Sequence, residues 1–471
     1  MRSLAMRLCV LACLSSLLGA CATRGPLVVD CEEFPRFVTN LPYTPLEAQI
    51  RHNWPPAVVA GGDLPPSPAA RPVITSVRQP ATLQVLNREK VDAALASAQA
   101  EQQSRPSRRG SARPSLSAPE ATAKPSVLLL SGGGQWGAFG AGLLTTLAAG
   151  NAVDQPNPVA ITGVSTGALQ MLFVGAGLDD PDVRAALRSA YLPEKESEIV
   201  DRQGTAMAVL TGAISGLKPL RRRVERALCP DEAIETGAAC PLLDRIAQSN
   251  ILMLAGFVEA QSGRFQFVDV NAMATAPDLD ARKKRQCIAG AALASAAMPV
   301  FFQQVKIAGK TYFDGGVRQS VFATFVQQEI ANHMAATNGD LPLLVLRNGP
   351  TGMDDDARSN GKLNALEAGL RAEAIIVNQV EVGSVAALRL QLPRGPIGFA
   401  SADGWQEERL DPSDPASSTC LALKTAGKDA QFTPAFMRCL MAYGDRRARE
   451  ARIWLPLLEL EQANRPHRPA S

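Results

Sequence analysis

Histidine is almost missing from this chain: its 471 residues include three, His52, His333 and His467. His52 and His467 lie among prolines, and His333 follows the polar run Gln327-Gln328-Glu329, which reads as an exposed helix face. None sits on the turn signal that the imidazole of a serine–histidine–acid triad requires, so all three read as solvated side chains. Metal-ligand spacing is absent too. No Cys/His cluster has the zinc pattern, and no D-x-[DN]-x-[DN]-G loop offers calcium ligands. No cofactor and no metal are therefore expected. The net charge of +3 is small, which gives no electrostatic case for nucleic acid or for a strongly anionic membrane.

Two short apolar runs that end in glycine carry the chemistry. Ser126–Leu130 empties into Ser131-Gly132-Gly133-Gly134-Gln135-Trp136-Gly137, and Val159–Thr162 empties into Gly163-Val164-Ser165-Thr166-Gly167. The first reads as a glycine loop opening a helix, with backbone N–H groups free to hold an anion. The second reads as a strand–turn–helix elbow that presents the Ser165 hydroxyl, with Gly163 and Gly167 where side chains would obstruct the turn. An anion cradle one strand before a presented serine is what acyl transfer needs: a nucleophile, and donors for the oxyanion its attack creates. The bland alternative is a glycine-rich turn whose serine only caps a helix. A dinucleotide-binding reading of Gly132-x-Gly134-x-x-Gly137 fails on its acid. Asp154 precedes the next apolar run in a Pro-rich loop, and that strand ends in Ser165.

With histidine set aside, a base must be sought elsewhere. Pro299–Phe313 reads as two short strands joined around Gly309, delivering Asp314 onto Gly315-Gly316. A carboxylate there can act as general base if it lies within hydrogen-bond reach of the serine. An ordinary Asp-Gly-Gly turn is the competing reading, and spacing does not choose between them.

Taken together, Gly132–Gly137, Gly163–Gly167 and Asp314–Gly316 resemble the glycine loop, nucleophile elbow and Asp-Gly-Gly/Ala motif of the patatin-like phospholipases. Ala294–Pro299, leading through Phe302 and Gly309, resembles that family's approach to its aspartate. The resemblance spans about 126–325. It implies a three-layer α/β/α sandwich around a mostly parallel sheet, and a Ser165–Asp314 dyad that cleaves glycerolipid esters through an acyl-enzyme. It also implies an oxyanion hole built from Gly132, Gly133, Gly134, Gly137 and Thr166, its donors being the N–H groups of Gly133, Gly134 and Thr166. The chain departs from the family at Trp136, where a lysine or arginine is usual. That departure is the sequence support for a rival reading, a non-catalytic envelope interaction protein that keeps the fold.

Other segments fit an α/β core. Ile251–Val258 and Arg264–Val268 flank a hairpin signal at Gln261-Ser262-Gly263. Leu341–Arg347 reads as a buried strand, Val385–Leu392 as another, and 362–380 and 434–448 as helices. Ala206–Leu220, followed by Arg221-Arg222-Arg223, reads as a core helix with a basic exposed end, with a lid or interfacial segment as the alternative.

The N-terminus adds an address. Arg2 and Arg7 precede the apolar run Leu8–Leu18, which is too short for a settled transmembrane span. Leu18-Gly19-Ala20-Cys21 resembles a bacterial lipobox, implying a signal peptide over 1–20, diacylation of Cys21, a membrane anchor and, with alanine at 22, the outer membrane. Loss of that leader removes two arginines and no acid. The region 21–125 is expected to be a lipidated segment whose first aromatics (Phe34, Phe37, Tyr43, Trp54) pack on the domain, followed by a Pro/Ala/Ser-rich stretch with one β-prone patch at Val73–Asn87. Residues 99–125 read as a disordered tether, with a solvated basic run at Arg105–Arg113. The catalytic core is expected at 126–325 and a C-terminal α/β extension at 326–471. Six further cysteines suit disulfides in an exported protein, Cys229/Cys240 and Cys420/Cys439 being the close-spaced pairs and Cys31 and Cys287 the others.

Overall fold

The structure is a computed structural model that describes residues 25–42, 50, 125–150, 154–202, 213–323, 341–353, 361, 363–392, 395–427 and 430–458. The leader, Cys21, all three histidines, the 73–87 patch and the tether up to 124 lie outside the described residues.

In chain order the strands are β1 (Leu27–Val29), β2 (Val38–Asn40), β3 (Pro125–Leu130), β4 (Asn157–Val164), β5 (Asp201–Arg202), β6 (Ala213–Gly216), β7 (Leu252–Glu259), β8 (Phe265–Asp269), β9 (Val300–Phe302), β10 (Val305–Ile307), β11 (Lys310–Asp314), β12 (Leu343–Leu346), β13 (Ile397–Ala400) and β14 (Leu455–Pro456). The helices are α1 (Gly137–Ala149), α2 (Thr166–Gly177), α3 (Pro181–Ala190), α4 (Lys218–Leu228), α5 (Asp231–Thr236), α6 (Pro241–Gln248), α7 (Val270–Thr275), α8 (Ala281–Ser295), α9 (Ala365–Gln391), α10 (Cys420–Ala426) and α11 (Pro434–Arg447). None of the described helices is long and apolar enough to cross a membrane.

The main sheet runs β1-β10-β11-β7-β4-β3-β12-β13-β14, with β8 also on β7 and β2 on β8. Its centre, β7-β4-β3-β12-β13, is parallel. Parallel strands covered on both faces are apolar along their whole length, and β3 obeys this. Leu128 and Leu130 enter a core under α1, α2, α8 and α11, while Val127 and Leu129 enter a second core that includes Leu388 of α9. The alternation is the two-residue period of a strand. The expected α/β/α layering follows, and β12, β13 and β14 continue the sheet beyond residue 326.

The N-terminal segment docks through Phe34, with Phe37 partly buried against the same core, while Tyr43 and Trp54 lie outside the described residues. Phe34 is fully buried against Phe257 and Tyr312, β1 pairs with β10, and Cys31 is bonded to Cys287 of α8. The two close-spaced disulfides also form, Cys229–Cys240 and Cys420–Cys439.

Three readings need correction. Val385–Leu392 does not form a strand. A capping box between Asn364 and Glu367 starts α9, and the helix continues to Gln391 because Val385, Leu388 and Leu392 recur at helical spacing on the second core. The segment before Gly309 is divided: β10 and β11 form the hairpin, whereas β9 joins β5 and β6 in a separate small sheet. Ala206–Leu220 is not one helix. Residues 213–216 are β6, and α4 begins only at Lys218, with Pro219 in its first turn where a missing N–H costs nothing.

Candidate active site

β4 ends at Val164 and α2 begins at Thr166, so Ser165 alone makes the turn. It does so at φ 54° and ψ −125°, a conformation that costs a non-glycine residue about 1–3 kcal/mol and marks functional elbows. Side chains at the flanking glycines could not be housed. A Cβ on Gly163 would lie 2.6 Å from Gly167 O, and one on Gly167 would lie 2.2 Å from Leu130 O. The backbone N–H of Ser165 donates to Ser295 Oγ (2.8 Å), whose hydroxyl donates to Gly256 O (2.6 Å). Ser295 therefore ties the elbow to β7.

The glycine loop leaves β3 beside this elbow. Gly133 holds φ +148°, and a Cβ there would fall 1.7 Å from Asn348 O. Asn348, just after β12, fixes the loop: its N–H donates to Ser131 Oγ and its side-chain amide to Ser131 O, both at 2.9 Å. Of the five groups expected around an oxyanion, two have their N–H in use. Gly132 N donates to Ser320 Oγ (3.3 Å), and Gly137 N turns back onto Gly134 O and Gln135 O. Gly132 and Gly137 therefore shape the loop rather than lend it donors. Gly134 and Thr166 open helical turns and Gly133 precedes one, positions whose N–H groups a helix itself cannot satisfy. Tyr191 steadies Thr166, donating to its carbonyl and meeting its hydroxyl, both at 2.8 Å.

Asp314 closes β11 and is fully buried. Its Oδ1 accepts from Gly316 N at 2.7 Å, while Oδ2 meets no well-aligned donor. The Ser165 hydroxyl is the side-chain group that interacts with this carboxyl. Burial pushes Asp314 up to about 7, and the Glu381 charge adds to the rise, whereas Ser165 and the Gly316 N–H pull it down.

Two acids of α9 join the site without any motif to announce them. Glu381 accepts from Ser320 Oγ (3.2 Å) and pairs with Arg347 (2.7 Å), the side chains only 12% and 5% exposed. Burial raises Glu381, and Arg347 opposes the rise. Glu373, half-buried, is raised to about 7 by its burial and by the Asp314 charge. Gly132 N–H, Ser320 Oγ, Glu381 and Arg347 thus form one continuous polar chain behind the glycine loop.

Ser165, Thr166 and Gly134 open onto a cavity of about 1050 Å³, at the upper end of small-ligand sites. Its walls include Leu169, Leu172, Phe173, Phe302, Phe432 and Met437, and basic side chains from β5 and α4. Trp136 is not part of this lining. It stacks edge-on against Trp405 and Phe436 at 4.9 and 5.2 Å, and Lys424 Nζ rests 5.0 Å above its ring. The indole is a packing residue, and Lys424 of α10 rests over both its ring and that of Trp405.

Asp154, the acid of the dinucleotide alternative, lies just before β4 rather than at its end, and its carbonyl accepts from Trp454 Nε1 (2.8 Å). Among the described residues, the group of closely placed ligand-type atoms is Cys31, Glu33 and Cys287, whose two sulfurs are already joined.

A presented serine with unoccupied donors beside it and a buried carboxyl behind it defines a serine acyl hydrolase arrangement on a mostly parallel α/β sheet. Comparison with known families agrees: residues 128–326 match the patatin-like phospholipase family. No curated protein matches the chain. Among solved structures, the crystal structure of VipD from Legionella pneumophila is similar at 14% identity and a TM-score of 0.29, over 70% of this chain and 68% of that one.

Proposed function

We propose that the protein is a serine lipid acyl hydrolase that cleaves carboxylic esters of glycerolipids through a Ser165–Asp314 dyad. The observation that carries this reading is the placement of Ser165, strained at positive φ and lining a partly apolar cavity, with its hydroxyl interacting with the buried Asp314 carboxyl. In the proposed cycle, Ser165 Oγ attacks the ester carbonyl carbon as its proton passes to Asp314. The negative charge that develops on the carbonyl oxygen is held by the N–H groups of Gly133, Gly134 and Thr166. The tetrahedral species collapses, the C–O bond to the alcohol breaks, and Asp314 returns the proton to the leaving oxygen. Water, deprotonated by the same carboxylate, then attacks the acyl-enzyme, releasing the fatty acid and restoring Ser165.

A base near 7 suits this work, because it is ionised at neutral pH yet still takes up a proton readily. The apolar walls suit an acyl chain. The non-catalytic alternative rested on Trp136, which packs away from the cavity and leaves it open. The address is part of the same proposal: Cys21 is acylated, and the protein is held at the bacterial outer membrane.

Serine-directed phosphonate labelling tests the chemistry. Purified protein should be labelled at Ser165 and should hydrolyse dispersed esters, and Ser165→Ala should lose both. A folded wild-type protein that takes no label at Ser165 overturns the proposal.

A further inference from the structure

A small net charge hides a concentrated one at the mouth of the cavity. Lys218, Arg222 and Arg226 stand on α4 at intervals of four residues, so they form one stripe about 12 Å long. All three are exposed, and all three line the cavity onto which Ser165 opens. Among the described residues none of them pairs with a carboxylate. The other two cations of the lining differ: Arg223 bonds Glu198 at 3.1 Å, and Arg202 faces Glu196 at 3.6 Å. Asp201 is the remaining carboxylate of the wall.

This arrangement works against the helix that carries it. Like charges four residues apart repel. Lys218 also occupies the first turn, where the helix dipole disfavours a cation, and no acid in that turn relieves it. Residues 203–212, next to this wall in sequence, contain no acid that could answer the stripe. The dipole favours Arg226 in the last turn, but three mutually repelling, unpaired cations bordering the space where substrate must lie are suited to an anionic group on the ligand.

We infer that Lys218, Arg222 and Arg226 form a headgroup site, selecting glycerophospholipids whose headgroup retains a net negative charge over zwitterionic ones. The inference rests on the hydrolase reading for its site. It adds to that reading which lipids are taken: the acyl chain enters among Leu169, Phe173 and Phe432, and the phosphate and its anionic headgroup lie against α4.

The test is a competition inside one vesicle, which holds surface charge constant. Vesicles of equal parts dioleoyl phosphatidylglycerol and dioleoyl phosphatidylcholine, with the acyl chains of one lipid isotopically labelled, are incubated with the full protein, and the two fatty acids are counted. The expected ratio favours phosphatidylglycerol by at least about fivefold, the effect of one basic side chain near an anionic lipid. In Lys218→Gln/Arg222→Gln/Arg226→Gln the ratio should fall close to one, and in Lys218→Arg it should persist. A ratio cancels any general loss of activity in the variants. Equal release by the wild type, or a preference that survives the triple substitution, overturns the inference. A second arm needs no turnover: calorimetric titration of Ser165→Ala with monomeric dihexanoyl phosphatidylglycerol, dihexanoyl phosphatidylcholine and inorganic phosphate. Tighter binding of the anionic lipid than of the other two supports the site even if no lipid is hydrolysed. Phosphate binding as tight as the anionic lipid would make it a plain ion site and overturn the lipid assignment.

Discussion

Replacing the buried acid with its neutral isostere should stabilise the protein while stopping its chemistry. Burial raises Asp314 from 3.8 to about 7, so between those values the folded state holds a proton that the unfolded chain has released. Stability therefore falls as pH rises from about 4 to about 7, and above 7 the full cost of a buried carboxylate remains. At roughly 1.36 kcal/mol per pH unit over about three units, that cost is about 4 kcal/mol. Asparagine removes it, keeps an oxygen for Gly316 N, and places an amide where the Ser165 oxygen can accept. Asp314→Asn should thus be more stable than the wild type by about 2–4 kcal/mol at pH 8, and equal to it near pH 3.5. Urea denaturation of both proteins across this pH range measures the difference, and ester hydrolysis should fall by roughly 10²–10⁴-fold. A variant that is less stable at pH 8, or a difference that does not change with pH, would show that Asp314 does not carry the desolvation cost assigned to it.

Further outcomes follow from the same geometry. Because the Glu381 charge helps to raise Asp314, Glu381→Gln should move the acidic limb of the pH–rate profile to lower pH, and an unmoved limb refutes the coupling. Gly133→Ala must fit a Cβ 1.7 Å from Asn348 O at a φ of +148°; it should cost at least about 2 kcal/mol and abolish phosphonate labelling, and a fully labelled variant of native stability contradicts the loop geometry. Cys21→Ser should move the protein from the membrane fraction to the soluble one, and a wild type that is already soluble removes the anchor.

The parts of the site that could be read from the sequence are those whose geometry is local. Ser165 is set by five consecutive residues, and the glycines on either side of it are demanded by contacts with their own strand and helix. The role of Asp314 stays open in the sequence, because an aspartate before two glycines makes a turn equally well; its burial and its interaction with the Ser165 hydroxyl are what favour the proposed base. Glu373 and Glu381 gave no signal at all. They sit eight residues apart on one face of a helix, a pattern shared by ordinary solvated faces, and only the packing of α9 across the post-Asp314 loop turns them inward. Cys31–Cys287 closes over 256 residues, beyond any spacing argument, whereas the pairs separated by 11 and 19 are close enough to suggest themselves. Val385–Leu392 looked like a strand because it is short and apolar. Its helical state is decided some twenty residues earlier, by the cap at Asn364.

The polar chain behind the glycine loop links the two halves of the proposed chemistry. A buried glutamate is costly unless a cation and hydrogen bonds answer it, and Glu381 has both, in Arg347 and Ser320. The same Ser320 oxygen receives the Gly132 N–H. Gly132 immediately precedes the donors at 133 and 134, and Ser320 lies six residues beyond Asp314. The loop that carries the proposed base and the loop that carries the proposed oxyanion donors are therefore bound through one hydroxyl, held in turn by one ion pair. Such an arrangement fixes the distance between proton acceptor and oxyanion cradle, which is the distance that acyl transfer is most sensitive to. It also gives a physical reason for a charge so near a base that works only when ionised. The carboxylate that holds the geometry raises Asp314, and a base brought close to neutrality is a better proton acceptor than a carboxylate in water.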